Sequence, residues 1–129
     1  MVGATAEFDF SVSAADQQTF ADLSGDQNPL HLDTAFAKAR GMQDTVVYGA
    51  LIVAMISRVI GMQLPGSQGI WSALKIDFRG PLYVGQTAHL SAEVGHFSEA
   101  THSLTVKIRV TCGDHLIATA TALSTLHAS

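Results

Sequence analysis

The residues best suited to chemistry lie in one short turn, GDQNPLH, at positions 25–31. Asp26 and His31 are five residues apart in this turn, and Pro29 stiffens the chain between them. A carboxylate and an imidazole that share a water molecule can take a proton from one atom and return it to another, which is general acid–base catalysis. Asp and Asn before a proline are also ordinary turn formers, so Asp26 could instead cap the backbone. The turn by itself leaves the catalytic and the structural interpretation open.

Two helices are predicted beside this turn and would position it. Ser13, followed three residues later by Asp16, is typical of a helix N-terminus, and Gly25 is typical of the position where such a helix ends. A second, short helix is predicted within LDTAFAKARG, starting at Asp33 or Thr34. The turn should therefore be an ordered loop between two helices.

A third helix and a sheet account for most of the remaining chain. Residues from about Gly49 to Gln63 are apolar on nearly every side, which predicts a buried central helix. After Pro65, apolar residues alternate with polar ones, as they do in half-buried strands. Helices followed by an antiparallel meander predict an α+β fold in which one face of the sheet wraps around the central helix. The predicted strands lie around residues 74–79, 88–94, 104–111 and 115–126.

The composition fits one domain spanning residues 1–129 and argues against two kinds of partner. The chain has 7 Lys and Arg against 11 Asp and Glu, and a formal net charge of −4. It has no basic cluster, so the electrostatic attraction that binds nucleic acid or an anionic membrane surface is missing. Charged residues make up 14% of the chain against a usual share of about 25%. This low share predicts that part of the surface is buried in a homo-oligomer.

The cysteine content and the N-terminus predict a cytoplasmic location. Cys112 is the only cysteine in the sequence, so it forms no intramolecular disulfide and suits a reducing compartment. The opening residues, MVGATAEFDF, lack the basic and apolar regions of a signal peptide. The apolar stretches are too interrupted to predict a membrane span.

Three stretches of the sequence resemble one family. The run from Phe20 through Ala37 resembles the hydratase 2 signature of the MaoC-like (R)-specific enoyl-CoA hydratases, in which an aromatic residue precedes a GDxNPxH core and a small residue follows. VVYGALIVAMIS and QLPG resemble the start and end of that family's buried helix, and IDFRGPLYVGQT resembles its F-x-x-P-V-x-x-G-D strand. The resemblance covers nearly the whole chain. It implies a hot-dog fold, in which a curved antiparallel sheet wraps around a long central helix and two protomers join their sheets into a homodimer.

The resemblance also implies an activity. This is the (R)-specific hydration of a trans-2-enoyl-CoA to the (R)-3-hydroxyacyl-CoA and the reverse dehydration, the reaction of a hydro-lyase. It needs no metal or redox cofactor, because coenzyme A is part of the acyl-CoA thioester substrate. Two alternatives stay open: a dehydratase that acts on carrier-protein-bound 3-hydroxyacyl groups, and a catalytically silent acyl-CoA-binding subunit.

Carried over residue by residue, the resemblance assigns the reacting groups. Asp26 and His31 would form the catalytic dyad, and Asn28 would help to orient it. Gly49 would lie at the oxyanion position, where the backbone N–H at the start of the central helix binds the thioester carbonyl. A helix N-terminus suits this role, since it presents unpaired N–H groups and a partial positive charge. A glycine needed for close packing is the alternative.

Two further residues, one just before the central helix and one within it, would complete the substrate site. Ser57 matches a serine that the family places near the dyad, although it could equally be a small packing residue. Tyr48 stands where the family commonly has histidine. Its ring would narrow the acyl pocket and favour short enoyl chains, or it would be a core aromatic residue with a hydrogen-bonded hydroxyl.

Overall fold

A computed structural model describes residues 1–127, which form a five-stranded antiparallel sheet with helices packed on one face. The strands follow the order β1-β3-β4-β5-β2 across the sheet, so β1 and β2 are its two edges. The strands are β1 (Thr5–Ser11), β2 (Gly69–Phe78), β3 (Thr87–Ser98), β4 (Ser103–Cys112) and β5 (His115–Leu126). The helices are α1 (Ala14–Ser24), α2 (Thr34–Ala39) and α3 (Gly49–Met62), with a 3-10 turn at Gly66–Gln68. The predicted α+β arrangement is confirmed.

Strand β1 was not among the predicted elements. It pairs with β3 in regular antiparallel register, from Thr5 opposite Glu93 to Ser11 opposite Thr87. Its sequence does alternate, because Phe8 packs against the core while its charged neighbours are exposed. Strand β2 begins earlier than the alternation predicts, since an irregularity after Trp71 shifts its pairing with β5 and interrupts the pattern.

The N-terminal caps of the two short helices agree with the sequence. Ser13 and Asp16 form a reciprocal capping box on α1, with N–O distances of 2.9 and 3.1 Å. Gly25 ends α1 in the left-handed conformation at φ 81°, which favours glycine. At α2, Asp33 is the cap and accepts a hydrogen bond from the Phe36 N–H at 3.2 Å. The turn at residues 25–31 is thus held between two capped helices.

Helix α3 packs its apolar side onto the inner face of the sheet. The side chains of Ile52, Ile56 and Val59 are almost completely buried there, and each stabilises the fold by about 1.5–3 kcal/mol. The sequence predicted that α3 is buried on nearly every side, but its opposite side is not: Ala54 and Ser57 are exposed in the single chain. Within residues 1–127, no helix is both long and apolar enough to cross a membrane.

The segment that leads into α3 is tied to the loop between β2 and β3. Val47 donates its N–H to the Leu82 carbonyl at 2.8 Å, and Val84 donates to the Thr45 carbonyl at 3.1 Å. These backbone bonds fix the position at which α3 begins. They therefore also fix the residues that face the turn containing Asp26.

Candidate active site

Side-chain hydrogen bonds to the backbone shape the turn between α1 and α2. One carboxylate oxygen of Asp26 accepts from the Asn28 N–H at 3.1 Å, and the Asn28 side-chain oxygen accepts from the Leu30 N–H at 3.0 Å. The Asn28 carbonyl then accepts from the His31 N–H at 3.1 Å. Asn28 therefore orients the turn directly, and Asp26 has the structural role that was its alternative. The Asp26 side chain is exposed, and the bond to Asn28 uses one of its two carboxylate oxygens. The structural role is therefore compatible with a catalytic one.

The His31 ring is held in one tautomer by the backbone. Its Nδ1 atom lies 2.6 Å from the carbonyl oxygen of Val46. A carbonyl oxygen only accepts hydrogen bonds, so Nδ1 carries the proton and donates it. The neutral ring then has Nε2 as its proton acceptor, which is the state that a general base requires.

Tyr48 links the two members of the predicted dyad. Its ring stacks on the His31 ring with centroids 4.0 Å apart, and its hydroxyl donates to the backbone carbonyl of Asp26 at 2.6 Å. Phe20 packs on it from another side at 4.6 Å. Burial, followed by the negative charge of Asp26, raises the pKa of the Tyr48 phenol, so the hydroxyl keeps its proton and acts as a donor. Among the described residues, the Asp26 carboxylate and the His31 ring make no direct hydrogen bond to each other.

One buried polar residue near the dyad was missed by the sequence analysis. Gln17 on α1 is only 1% exposed. Its amide nitrogen donates to the carbonyls of His31 and Val46, both at 2.9 Å, and its amide oxygen accepts from the Tyr48 N–H at 3.1 Å. The sequence does contain one signal for this residue. Gln17 lies one helical turn before Ala21, on the face of α1 that points inward, and a polar side chain is unusual at a position where an apolar one is expected.

Gly49 is the first residue of α3, and its surroundings fit both interpretations of this glycine, the free N–H group and the close packing. Its N–H has no acceptor among the described residues, as expected at a helix N-terminus. A Cβ atom placed on Gly49 would lie 2.9 Å from Cζ of Phe78, so the ring can approach only because the side chain is absent. Close packing and a free N–H group therefore occur at the same residue.

An open cavity of about 390 Å³ brings His31 and Gly49 together. Its walls come from the segment before α3, from α3 itself and from the end of β2 with the loop that follows. Within the single chain, Asp26, Tyr48 and Ser57 do not line it. Tyr48 is 2% exposed and lies behind His31, whereas Ser57 is on the exposed side of α3. The lining residues are His31, Met42, Val46, Val47, Gly49, Ile52, Phe78, Arg79, Gly80, Pro81 and Leu82.

The cavity combines two chemical capabilities. A histidine with a fixed tautomer can exchange a proton with a bound molecule. A helix N-terminus can stabilise negative charge that develops on an oxygen. Together they suit addition of water to, or its loss from, a molecule whose carbonyl becomes an enolate during the reaction. In the described part of the chain, no group of three or more His, Cys, Asp or Glu side chains is arranged to hold a metal ion.

Comparisons with known proteins agree with this chemistry. The family model of the MaoC-like domain matches residues 2–114. An (R)-specific enoyl-CoA hydratase from Aeromonas caviae is 35% identical over 109 residues, which cover 84% of this chain and 81% of that protein. A 3-hydroxybutyryl-CoA dehydratase from Methylorubrum extorquens is 27% identical over 122 residues, or 95% of this chain and 78% of that one.

The structural comparison extends the likeness to the whole fold. The solved structure of an (R)-hydratase from A. caviae involved in PHA biosynthesis superposes with a TM-score of 0.93 at 34% identity. The match covers 98% of this chain and 97% of the other. The expected hot-dog fold is confirmed.

Proposed function

This chain belongs to the MaoC-like domain family, and we propose that it catalyses the reversible (R)-specific hydration of trans-2-enoyl-CoA to (R)-3-hydroxyacyl-CoA. The observation that carries the proposal is the cavity shared by His31, whose tautomer is fixed, and Gly49, whose N–H is free. The A. caviae relative, an (R)-specific enoyl-CoA hydratase, supports the same reaction. The enzyme is accordingly a hydro-lyase.

The proposed mechanism adds the elements of one water molecule across the C2–C3 double bond. Asp26 and His31 hold that water over C3 of the enoyl thioester. As the water oxygen bonds to C3, Nε2 of His31 takes one proton from the water, and the His31–Asp26 pair passes that proton on to C2, so both side chains end in the protonation states in which they began. The reverse sequence expels water from the 3-hydroxyacyl thioester.

Negative charge develops on the thioester oxygen while the C3–O bond forms. The N–H of Gly49 donates a hydrogen bond to this oxygen and so stabilises the charge, and the dipole of α3 adds to the effect. Removing a single donor of this kind typically costs on the order of a hundredfold or more in rate. The chemistry calls for no metal or redox cofactor, since coenzyme A enters as part of the substrate.

We propose further that the working protein is a cytoplasmic homodimer joined along β2. This ten-residue edge strand pairs with β5 on one side only, and its exposed side chains include Ile70 at 55% and Phe78 at 53%. An unpaired apolar edge favours pairing with a second copy, whereas the β1 edge carries carboxylates such as Glu7 that discourage it. The free thiol of Cys112 fits a reducing compartment.

Light scattering tests the dimer. The wild-type chain should have twice the protomer mass at micromolar concentrations, and Ile70→Lys should lower it towards one protomer. Leu23→Lys is the matched control, because Leu23 is exposed on α1 away from the edge. A wild-type mass of one protomer would exclude the dimer.

Hydration of crotonyl-CoA, followed as loss of the enoyl-thioester absorbance, tests the activity. We expect turnover with the wild-type chain and almost none with His31→Gln. The same acyl group on a carrier protein forms the second arm of the experiment, and a higher kcat/KM there would favour the carrier-protein dehydratase. Binding of crotonyl-CoA without turnover would instead identify a silent binding subunit.

A further inference from the structure

We propose that Gln17 is a positioning residue that sets the tautomer and the placement of the His31 ring, and so controls the proton transfer of the proposed hydration. The inference depends on the proposed function for its kinetic consequence. Its structural half, the fixed tautomer, stands independently of any activity. Gln17 lies behind the dyad and is not part of the cavity lining.

The first step of the argument is the arrangement of the amide. Gln17 is fourteen residues from His31 and thirty-one from Tyr48 along the chain, yet one amide group bonds to both. Two carbonyl oxygens face its nitrogen and one N–H group faces its oxygen. This pattern fixes which end of the amide is which, because the opposite orientation would put oxygen against oxygen.

The second step concerns the carbonyl of Val46, which accepts two hydrogen bonds. One comes from Gln17 at 2.9 Å and the other from Nδ1 of His31 at 2.6 Å. A carbonyl oxygen has two lone pairs, so these two donors use its full capacity. Gln17 thereby holds the oxygen at the place where it selects the Nδ1–H tautomer of His31. Without that bond, the peptide group of the Val46 carbonyl would keep, besides its bond to the ring, the hydrogen bond from its Val47 N–H to Leu82, and the carbonyl could tilt relative to the imidazole ring.

The third step concerns the other face of the ring. Gln17 accepts from the N–H of Tyr48, whose ring stacks on His31 and whose next residue, Gly49, supplies the free N–H. The same amide therefore ties the turn, the segment before α3 and the start of α3 into one unit. Loss of this tie would let the proton acceptor and the oxyanion donor move relative to each other, and displacements of about 1 Å can cost on the order of a hundredfold in rate.

Gln17→Met tests the proposal, with Gln18→Met as its matched control. Methionine has a similar size and shape but makes none of the three hydrogen bonds. Gln18 is the neighbouring glutamine on α1, and among the described residues its amide forms one hydrogen bond, to the Asp22 carboxylate at the surface. Gln17→Glu is a second variant, since it keeps an acceptor for the Tyr48 N–H and loses both donors. Circular dichroism and thermal melting establish that each variant is folded.

Two measurements separate positioning from mere structural support. Nitrogen-15 NMR of histidine-labelled protein, with His31 assigned by its loss in His31→Gln, should give the Nδ1–H tautomer in the wild type and in Gln18→Met. A population of the Nε2–H tautomer should appear in both Gln17 variants. Crotonyl-CoA kinetics should show kcat lowered about tenfold or more in these variants with KM changed less than about threefold, because Gln17 does not touch the substrate.

Several outcomes would overturn the proposal. An Nε2–H tautomer in the wild-type protein would do so whatever the variants show, including the case in which they fail to fold. A folded Gln17→Met with unchanged His31 signals and wild-type kcat would do so as well. If the wild type hydrates no enoyl-CoA, the proposed function fails, and the tautomer measurement still decides the role of Gln17.

Discussion

The structure contains two Asp–His arrangements that differ in nearly every physical respect. On the outer face of the sheet, His89 of β3 bonds directly to the carboxylate of Asp9 on β1 at 2.6 Å, with Glu7 at 3.8 Å from its other nitrogen. At the turn, Asp26 and His31 make no direct bond, and the His31 ring is held by a backbone carbonyl and a stacked tyrosine. By distance alone, the first arrangement would be taken for the catalytic one.

The difference shows what a proton-transfer site needs beyond an adjacent carboxylate. The hydrogen bond to Asp9 raises the pKa of His89, which favours the charged ring and makes it less available as a proton acceptor. The Val46 carbonyl accepts a hydrogen bond from Nδ1 of His31, which leaves Nε2 of the ring as the proton acceptor. His31 also lines a cavity next to a helix N-terminus. Orientation and access distinguish the two sites.

The largest expected effect separates the two histidines directly. His31→Gln and Asp26→Asn should each lower kcat by a factor on the order of 10² to 10⁴, because each removes a proton-transfer group and keeps much of the side-chain shape. His89→Gln should leave kcat within about twofold of wild type, since the ring lies on the opposite face of the sheet from α3 and away from the cavity. Steady-state hydration of crotonyl-CoA measures all three.

The double variant sharpens this result. If Asp26 and His31 act as one unit, losing both should cost scarcely more than the worse single change. Full additivity would mean that they act separately, for example with Asp26 serving only the Asx turn. Wild-type turnover in either single variant would end the proposal of a dyad.

The sequence predicted the elements of the site better than the links between them. The capping box of α1, the start of α3 and the turn around Asn28 all depend on residues within a few positions of each other, where spacing alone is informative. The contacts of Gln17 and Tyr48 join residues fourteen to thirty-one positions apart. A single sequence carries no signal for such pairings, because they depend on how α1 packs against the turn and against the segment before α3.

The two substrate contacts predicted on α3 remain predictions for a related reason. Ser57 lies two helical turns beyond Gly49 on the exposed side of the helix, so one chain does not bring it to the cavity. Tyr48 is buried behind His31, which fits its core alternative. Strand β1 was missed although it alternates, since it is short and precedes the first helix.

The second prediction tests the oxyanion half of the site. Gly49→Ala keeps the N–H but places a methyl group 2.9 Å from the Phe78 ring, which must move at the cavity wall. We expect kcat/KM to fall on the order of tenfold, because small displacements at a reacting centre are costly. Gly61→Ala in the same helix is the control, since a Cβ there meets no atom within 4 Å. That change should leave kcat unaltered and raise stability by about 0.5–1 kcal/mol. Equal activity of the two variants would contradict a special role for Gly49.

The third prediction concerns the phenol that connects Asp26 to His31. Tyr48→Phe keeps the stacked ring and removes the 2.6 Å hydrogen bond to the Asp26 carbonyl. We expect a loss of about 1 kcal/mol in the free energy of unfolding and a severalfold loss in kcat. Tyr83→Phe is the control, because within residues 1–127 the only hydrogen bond of that hydroxyl goes to the Met42 sulfur, at 3.8 Å. Denaturant unfolding and steady-state kinetics measure these two effects. Removal of the ring in Tyr48→Ala, assayed on enoyl-CoA substrates of four, eight and twelve carbons, tests chain length; a changed length profile would place the ring at the acyl pocket.

The smallest expected effect returns to the surface pair. The hydrogen bond to Asp9 raises the pKa of His89 above its usual 6.5, so the folded chain binds this proton more tightly than the unfolded chain does. The pair therefore stabilises the fold fully below pH 6.5, and the contribution is lost as the pH rises through the higher pKa of the folded state. Because the pair is exposed, the effect should be small and should weaken with added salt. Melting temperatures measured across this pH range should fall more steeply for wild type than for His89→Gln or Asp9→Asn. His96→Gln, a change at an exposed position towards the other end of β3, should follow the wild type. Parallel curves for wild type and His89→Gln would show that a short Asp–His distance has no measurable energetic consequence at this surface.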